Sequence, residues 1–258
     1  MPELPEVETL CRQLREVVAG EKILAAKTLD AKLGGLENLA GRTMRAPFRT
    51  GKGLNLPLDN KQTLRLHLRM SGRLLWQKEP VDLPHSRWLL TFKQGRLVLI
   101  DPRRFATLTL QTGAVPLPAG ADPLGEFPSL CLRKSAEKRK LPVKSFLLDQ
   151  RAVAGIGNIY ACEILYHAAI NPRRATGDLT GPEWQKIGQA AREILTKAIA
   201  CRGTSISDWR DLYGQPGEYQ HCLQVYGREG ERCFRCGGPV VRLKLSGRGT
   251  YFCSACQQ

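Results

Sequence analysis

The stretch that decides the fold of the C-terminal end is Cys233-Phe234-Arg235-Cys236, followed after sixteen residues by Cys253-Ser254-Ala255-Cys256. Two cysteine pairs, each with two residues between its members, are typical of a tetrahedral zinc site with four thiolate ligands. The spacer carries short apolar runs separated by glycines, which predicts a β-hairpin. We therefore expect one structural Zn²⁺ ion, held by Cys233, Cys236, Cys253 and Cys256.

The alternative for these four residues is two disulfides or free thiols. The chain has nine cysteines, and it shows neither an apolar signal segment nor a transmembrane run. This pattern favours a reducing cytoplasm, where zinc binding is more common than disulfide formation. The other five cysteines are scattered, and we assign them no chemistry.

The composition indicates the kind of partner. Across 258 residues, Lys and Arg total 39 and Asp and Glu total 24, which gives a net charge of +15 and a pI near 9.7. Such an excess is typical of proteins that bind a polyanion. An anionic membrane surface is the second candidate, but the chain has no strongly basic amphipathic helix. A role of the charge in solubility alone is the third.

The N-terminus, Met1-Pro2-Glu3-Leu4-Pro5-Glu6, suggests covalent chemistry. Removal of Met1 would leave Pro2 as a secondary amine beside the acid Glu3. An α-amino group has a pKa of about 8, against about 10.4 for lysine, so part of it is uncharged at neutral pH. Such an amine can form a Schiff base. The plainer interpretation is a helix start flanked by two prolines.

The chain changes character along its length. A helical pattern over 5–19 precedes short Leu-, Val- and Thr-rich segments that predict strands, among them 63–68, 87–92 and 96–100. Residues 112–128 are typical of a linker, and 129–200 have a helical pattern. The predicted class is α+β: an antiparallel β-sandwich with a packed N-terminal helix, then a helical region, then the zinc hairpin. We predict domains at 1–128, 129–226 and 227–258.

Several motifs in order resemble the formamidopyrimidine-DNA glycosylase family, bacterial enzymes that remove oxidised bases. The start of the chain resembles the family's N-terminus, and further matches follow nearly to the C-terminus. The segments that carry the resemblance are Pro2–Thr9, Gly51-Lys52, His67-Leu68-Arg69-Met70-Ser71-Gly72, Asp101-Pro102-Arg103-Arg104-Phe105, Lys144–Tyr160, Val225-Tyr226-Gly227-Arg228 and the four-cysteine ribbon.

The resemblance implies a helix–two-turns–helix region over Lys144–Tyr160 and a bifunctional activity on duplex DNA that contains a damaged base. In this pattern Pro2 attacks the sugar C1′, Glu3 protonates the ring oxygen, and β,δ-elimination cleaves the strand. Lys52 and Arg248 take the role of proton donors in the cleavage steps. Because arginine is a poor acid, a phosphate clamp is the physically better role for Arg248.

The resemblance also implies the DNA contacts. A base inside a duplex must be extruded before it can be excised, and the hole that it leaves needs a filler. Met70, Arg103 and Phe105 match that role, although Met70 and Phe105 could equally be core residues. The residues expected at phosphates are Lys52, His67, Asn158 and Arg248, and Lys144 is expected near the lesion. A plain helix cap is the structural alternative for Asn158.

Some positions depart from the family pattern and leave the lesion open. Ala106 stands where the family usually has glycine, and the flanks of the loop 204–220 are unusual. Oxidised purines, such as 8-oxoguanine and formamidopyrimidines, are the favoured substrates, and oxidised pyrimidines are the alternative. A non-catalytic binder of damaged DNA would be expected to lack Pro2, Glu3 or Lys52, and all three are present. We expect a monomer that has no membrane partner, resides in the bacterial cytoplasm and is associated with the nucleoid.

Overall fold

The computed structural model describes residues 1–34, 36, 38–125, 129–137 and 139–258, and the backbone alone for residues 129 and 130. Two compact units emerge. One comprises Met1–Leu117 and Cys201–Gln220, and the other comprises Pro118–Ala200 and His221–Gln258. The segment 201–220 thus belongs to the same unit as the N-terminus. The domain boundaries expected after residues 128 and 226 stay predictions, and residue 128 lies outside the described residues.

The first unit begins with helix α1, Leu4–Val18, close to the helix expected over 5–19. Glu3 is its N-cap. Pro5 lies in the first turn, where a backbone N–H has no intrahelical acceptor, so the N–H that proline lacks costs the helix nothing there. The apolar positions Val7, Leu10, Leu14 and Val18 recur at helical spacing and are all buried. That stripe fixes which face of α1 packs on the sandwich.

The sandwich consists of two antiparallel four-stranded sheets. Their orders are β1-β6-β7-β5 and β2-β3-β4-β8. The strands are β1 Ala25–Thr28, β2 Phe48–Thr50, β3 Gly53–Pro57, β4 Gln62–His67, β5 Arg73–Gln77, β6 Ser86–Phe92, β7 Gly95–Ile100 and β8 Thr107–Thr112, with a short 3-10 helix at Ala31–Leu33.

One apolar core fills this unit. Leu10 and Leu14 of α1 share a buried cluster with Leu54 and Leu56 of β3 and with Trp88 of β6. Truncating such a leucine to alanine typically costs about 2–5 kcal/mol. The core therefore fixes α1, and the N-terminal residues that precede it, against the sheet.

The second unit is helical and ends in a hairpin. Its helices are α2 Ser129–Ala136, α3 Val143–Leu148, α4 Asn158–His167 and α5 Gly181–Ala200, and a 3-10 turn lies at Thr176–Asp178. Another 3-10 turn, Tyr219–Cys222, spans the point where the chain passes from the first unit to the second. The hairpin pairs β9, Val240–Leu245, with β10, Arg248–Cys253. In the described part of the chain, no helix combines the length and the apolar character needed to cross a bilayer.

Candidate active site and DNA-binding surface

Pro2 and Glu3 are buried at the start of α1, whereas Met1 is half exposed. The backbone N–H of Glu3 donates to Glu6 Oε2 at 2.7 Å, as in a capping box. The two residues expected to carry the chemistry are therefore held on a rigid helix end. Their roles stay predictions, because the position alone does not show a reaction.

Lys52 lies in the turn between β2 and β3. Arg49, at the start of this hairpin, donates from Nε to Glu8 Oε2 of α1 at 3.1 Å and from a terminal nitrogen to the carbonyl of Gly51 at 3.1 Å. The side chains of Arg49 and Glu8 are 5% and 13% exposed, so this ion pair is screened little by solvent. It ties the turn that carries Lys52 to α1, the helix that Glu3 caps.

His67 is a neutral donor rather than a cation. Burial, together with the positive charges of Arg69 and Lys52, lowers its pKa from 6.5 to about 4. The backbone N–H of Arg69 donates to Nδ1 at 3.0 Å, so the proton of the neutral ring resides on Nε2. His67 can therefore offer one N–H to a phosphate without changing charge between pH 5 and pH 8.

Met70, Arg103 and Phe105 lie on two loops at the same end of a sheet. β4 pairs with β8 so that His67 faces Thr107, and the loop after β4 therefore meets the loop before β8. Met70 and Phe105 are 48% and 47% exposed, which contradicts a core role for either. The guanidinium carbon of Arg103 lies 4.6 Å from the centroid of the Phe105 ring. The three expected filler residues are thus presented together.

The two loops touch where the sequence departs from the family. A Cβ added to Gly72 would lie 2.5 Å from the carbonyl oxygen of Leu68 and 3.0 Å from the Cβ of Ala106. Ala106 is buried, and its methyl group fills the space that Gly72 leaves open. The alanine at 106 is therefore compatible with this loop arrangement as long as residue 72 is glycine.

Asp101 is a buried acceptor beneath these loops. It accepts from Ser71 Oγ at 2.5 Å and, through its other oxygen, from the backbone N–H of Ala106 at 2.6 Å and from Arg87 at 3.4 Å. Burial raises its pKa, but the hydrogen bonds from Ser71 and from the backbone of Ala106, Phe105 and Arg103 outweigh burial and lower the pKa overall. Arg87 continues the network to Asp30 at 2.6 Å. Asp101 opens the motif Asp101–Phe105, and its position in a turn is the only sign of this role in the sequence.

In the second unit, Lys144 joins three elements. It is fully buried, and its ammonium donates to Asn158 Oδ1 at 2.7 Å, to the carbonyl of Gly249 at 2.9 Å and to Thr250 Oγ1 at 2.8 Å. These contacts match the three donors of a lysine. The expected DNA contact of Lys144 stays a prediction; in this arrangement Lys144 positions Asn158 and the ribbon turn.

Asn158 and Arg248 flank this cluster. The N-cap of α4 is Gly157, so Asn158 is the first helical residue and not the cap. Its amide nitrogen donates to the carbonyl of Gly249 at 3.0 Å. Arg248 is exposed and follows the turn Ser246-Gly247, whose φ angles of 47° and 77° fit a tight hairpin turn. Arg248 is thus presented to solvent from a turn anchored by Lys144.

The four ribbon cysteines fit a zinc ion. Their Sγ atoms all lie within 4.8 Å of one another, with Cys233 and Cys256 at 3.8 Å and Cys236 and Cys253 at 3.5 Å. A tetrahedral site with Zn–S bonds of about 2.3 Å requires sulfur–sulfur distances of roughly 3.8 Å. The predicted structural zinc site is confirmed, with all four expected residues converging.

Fold and site together define a class: a DNA glycosylase built from a β-sandwich, a helix–two-turns–helix region and a zinc ribbon. Three family models match in that order. They are described as the formamidopyrimidine-DNA glycosylase N-terminal domain over residues 1–108, the formamidopyrimidine-DNA glycosylase H2TH domain over 119–209, and a zinc finger found in FPG and IleRS over 230–258.

Individual relatives cover the whole chain. A formamidopyrimidine-DNA glycosylase of Heliobacterium modesticaldum is 40% identical over 277 residues, covering 100% of both proteins. The Lactococcus lactis Fpg in complex with DNA containing an oxidised pyrimidine has a TM-score of 0.90 at 34% identity, and a variant of it with Fapy-dG DNA has 0.88 at 34%, each with 100% of both chains covered. The chain therefore belongs to the formamidopyrimidine-DNA glycosylase family, the DNA glycosylases of base excision repair.

Proposed function

We propose that this chain excises oxidised purines from duplex DNA and then cleaves the strand, with Pro2 as the nucleophile. The observation that carries this proposal is the placement of Pro2 and Glu3 at the buried, rigid start of α1. Removal of Met1 is a precondition, since it frees the proline nitrogen. Intact-mass measurement of the purified protein reports whether Met1 is gone.

In the proposed reaction, base excision, ring opening and strand cleavage follow one another at the same sugar. The lone pair of the neutral Pro2 nitrogen forms a bond to C1′, and the damaged base leaves with the electrons of its bond to C1′ and takes a proton from water. The hydroxide so formed removes the proton of the proline nitrogen. Glu3 protonates the ring oxygen, and the C1′–O bond opens as the nitrogen lone pair forms the iminium. The iminium acidifies the C2′ protons, so loss of one expels the 3′ phosphate and a second elimination expels the 5′ phosphate.

Extrusion of the base is assigned to the exposed loops. Met70 and Phe105 can enter the stack as apolar wedges, and Arg103 can occupy hydrogen-bonding positions of the missing base. Phosphates next to the extruded nucleotide are assigned to Lys52, His67, Asn158 and Arg248. Lys52 is also the proposed proton donor in strand cleavage, whereas the proposed role of Arg248 is to bind and hold a phosphate.

Borohydride trapping tests the nucleophile. Reduction of the iminium should leave a stable adduct between the protein and the DNA, and digestion should place the label on the N-terminal peptide. Glu3→Gln should abolish base excision but retain cleavage at preformed abasic sites, because ring-oxygen protonation matters most while the base is leaving. An adduct on Lys52, or trapping that survives an extra residue before Pro2, would refute the N-terminal mechanism.

Oxidised pyrimidines are the second candidate substrate. The Lactococcus lactis relative is described in complexes with both an oxidised pyrimidine and a formamidopyrimidine purine, so one fold of this type accommodates both. A panel of duplexes carrying 8-oxoguanine, a formamidopyrimidine or an oxidised pyrimidine, read out by strand scission, separates the candidates. Faster cleavage of the oxidised pyrimidine would overturn the preference for purines.

We further infer that the enzyme acts as a monomer in the bacterial cytoplasm and associates with the nucleoid through DNA binding. The net charge of +15 supports association with DNA, and the bacterial relatives support a bacterial location. Sedimentation at micromolar concentration, with and without a lesion duplex, measures the oligomeric state. A dimer in the absence of DNA would contradict it.

A further inference from the structure

Tyr166 contacts the zinc ribbon from outside it. This residue lies near the end of α4 and is 2% exposed, and its hydroxyl oxygen lies 3.3 Å from Sγ of Cys233, a residue 67 positions later in the chain. A cysteine bound to zinc is a thiolate and has no proton to give. A tyrosine hydroxyl at neutral pH does have one. The direction of the hydrogen bond therefore follows from the chemistry: Tyr166 donates and Cys233 accepts.

A second residue holds the Tyr166 ring against the ribbon. Arg235, between Cys233 and Cys236, donates to the carbonyl of Tyr166 at 2.7 Å and to that of His167 at 3.1 Å. Its guanidinium carbon lies 4.3 Å from the centroid of the Tyr166 ring. α4 ends at His167, and the last carbonyls of a helix lack intrahelical partners. The cysteine loop thus caps the helix that supplies the hydroxyl.

The thiolate needs such a donor. Four thiolates outweigh the charge of the zinc ion, and Cys233 is buried, so its excess negative charge is stabilised mainly by hydrogen bonds. The backbone N–H of Arg235 supplies one, at 3.4 Å from Sγ. We propose that Tyr166 is a positioning residue of the zinc centre, whose hydroxyl stabilises the Cys233 thiolate, slows loss of the metal and fixes the ribbon on α4.

Tyr166→Phe in the zinc-loaded full chain tests this proposal. The variant removes one oxygen and leaves the ring for Arg235 and the surrounding apolar cluster. Loss of a hydrogen-bonding neighbour of a metal ligand typically lowers metal affinity 10- to 100-fold. We expect zinc transfer to an excess of a chromogenic chelator to be roughly 10-fold faster than in the unmodified protein.

Tyr251→Phe is the matched control. Tyr251 packs beside the same cluster, against Tyr226 with ring centroids 5.0 Å apart, and within the described residues its hydroxyl makes no hydrogen bond. This variant should release zinc at the unmodified rate. A Tyr166→Phe rate equal to that of the unmodified protein would overturn the proposal, as would equal acceleration by Tyr251→Phe.

Cobalt substitution separates the hydrogen bond from general loosening. A donor on a thiolate lowers the energy of the sulfur lone pairs, so its removal should shift the sulfur-to-cobalt charge-transfer band to longer wavelength. We expect this shift in Tyr166→Phe and not in Tyr251→Phe. Faster zinc loss with an unshifted cobalt spectrum would assign the effect to packing and overturn the role of the hydroxyl. Neither measurement involves DNA, so both are independent of the proposed reaction.

Discussion

Glu6 and Thr204 are hydrogen bonded across 198 positions of sequence: Glu6 Oε1 accepts the backbone N–H of Thr204 at 2.8 Å. The other oxygen of the same buried carboxylate accepts the N–H of Glu3. Glu6 thus couples the proposed catalytic acid to the segment 201–220. The preceding residue must be small, since a Cβ on Gly203 would lie 2.6 Å from Glu6 Oε1, and its φ is +82°.

Gly203→Ala should therefore lower both stability and base excision. The added methyl group pushes on Glu6, and through it on Glu3, while the φ angle adds backbone strain of about 1 kcal/mol. Gly113→Ala is the control, because Gly113 has a φ of +88° with no atom within 4 Å of the added Cβ. Melting temperature and single-turnover excision should fall further in Gly203→Ala. Equal losses in both variants would show that strain alone matters.

Glu6→Gln tests the coupling from the other side. A glutamine has one acceptor oxygen in place of two, so either Glu3 or Thr204 faces an amide N–H instead. Leaving a buried donor unsatisfied costs about 1–3 kcal/mol. Excision should be reduced more than abasic-site cleavage if Glu3 is the group that moves. Unchanged excision with a lowered melting temperature would mean that Glu6 serves the fold alone.

Asp101→Asn should disturb extrusion rather than chemistry. The asparagine keeps the size of the side chain but presents an NH₂ group to one of the donors that Asp101 now accepts, Ser71 Oγ or Ala106 N–H. The loops of Met70 and Phe105 would then lose their common anchor. Single-turnover excision of a paired lesion should slow by about 10-fold or more, with cleavage of an abasic duplex much less affected.

Arg103→Ala is the companion variant, since it removes a filler residue and leaves the anchor intact. It should show the same preference for the abasic substrate. If Asp101→Asn slows both substrates equally while Arg103→Ala slows only the paired lesion, Asp101 maintains the fold of the unit rather than the loops.

The sequence predicted the elements with strong periodicity, whereas the roles expected for the site residues outside the zinc ribbon stay predictions. α5 ends at Ala200, where the helical pattern expected over 129–200 also ends, and the strand expected at 87–92 begins one residue earlier, at Ser86. The zinc ligands were predictable because all four lie in two short, regularly spaced motifs. The exposure of Met70 and Phe105 was predicted only through the resemblance, since an apolar residue next to a strand is usually buried.

What the sequence did not show are contacts between distant segments. Lys144 was expected near the lesion, but its burial depends on three oxygens supplied by residues 14, 105 and 106 positions away. Tyr166 and Glu6 are similar in this respect. Tyr166 contacts Cys233 and Glu6 contacts Thr204, 67 and 198 positions away, and no local pattern in the sequence links these pairs. Such roles depend on the packing of whole elements, which periodicity and motif spacing do not specify.

Glu183 makes stability depend on pH. The hydrogen bond from Arg174 lowers its pKa from 4.5 to about 2, against an opposing effect of burial, and Thr180 adds two further donors. A lowered pKa means that the stabilisation is complete above pH 4.5 and is lost as pH falls towards 2. The side chain is 22% exposed, so we expect on the order of 1–3 kcal/mol.

Glu183→Gln should therefore lower the free energy of unfolding at pH 7 and lose this deficit as the pH falls from 4.5 to 2. Denaturant titrations at pH 7, 5, 4 and 3 measure the difference. Glu193→Gln, on the same helix and half exposed, is the control and should show a small effect throughout. A deficit that persists unchanged at pH 3 would contradict the ionic origin.

Arg248→Ala should change the salt dependence of DNA binding. If about four phosphates are neutralised, log K should fall with log[salt] with a slope of roughly −3.6, and loss of one cationic contact should flatten it by about one unit.

Lys93→Ala removes the same charge at the hairpin turn before Gly95, at the opposite end of β7 from Asp101, and should leave the slope unchanged. Asn158→Ala should weaken binding without flattening the slope, because a neutral amide displaces no counterion. An unchanged slope in Arg248→Ala would place Arg248 away from the phosphates, and an affinity insensitive to salt in the unmodified protein would contradict a polyanion interface altogether.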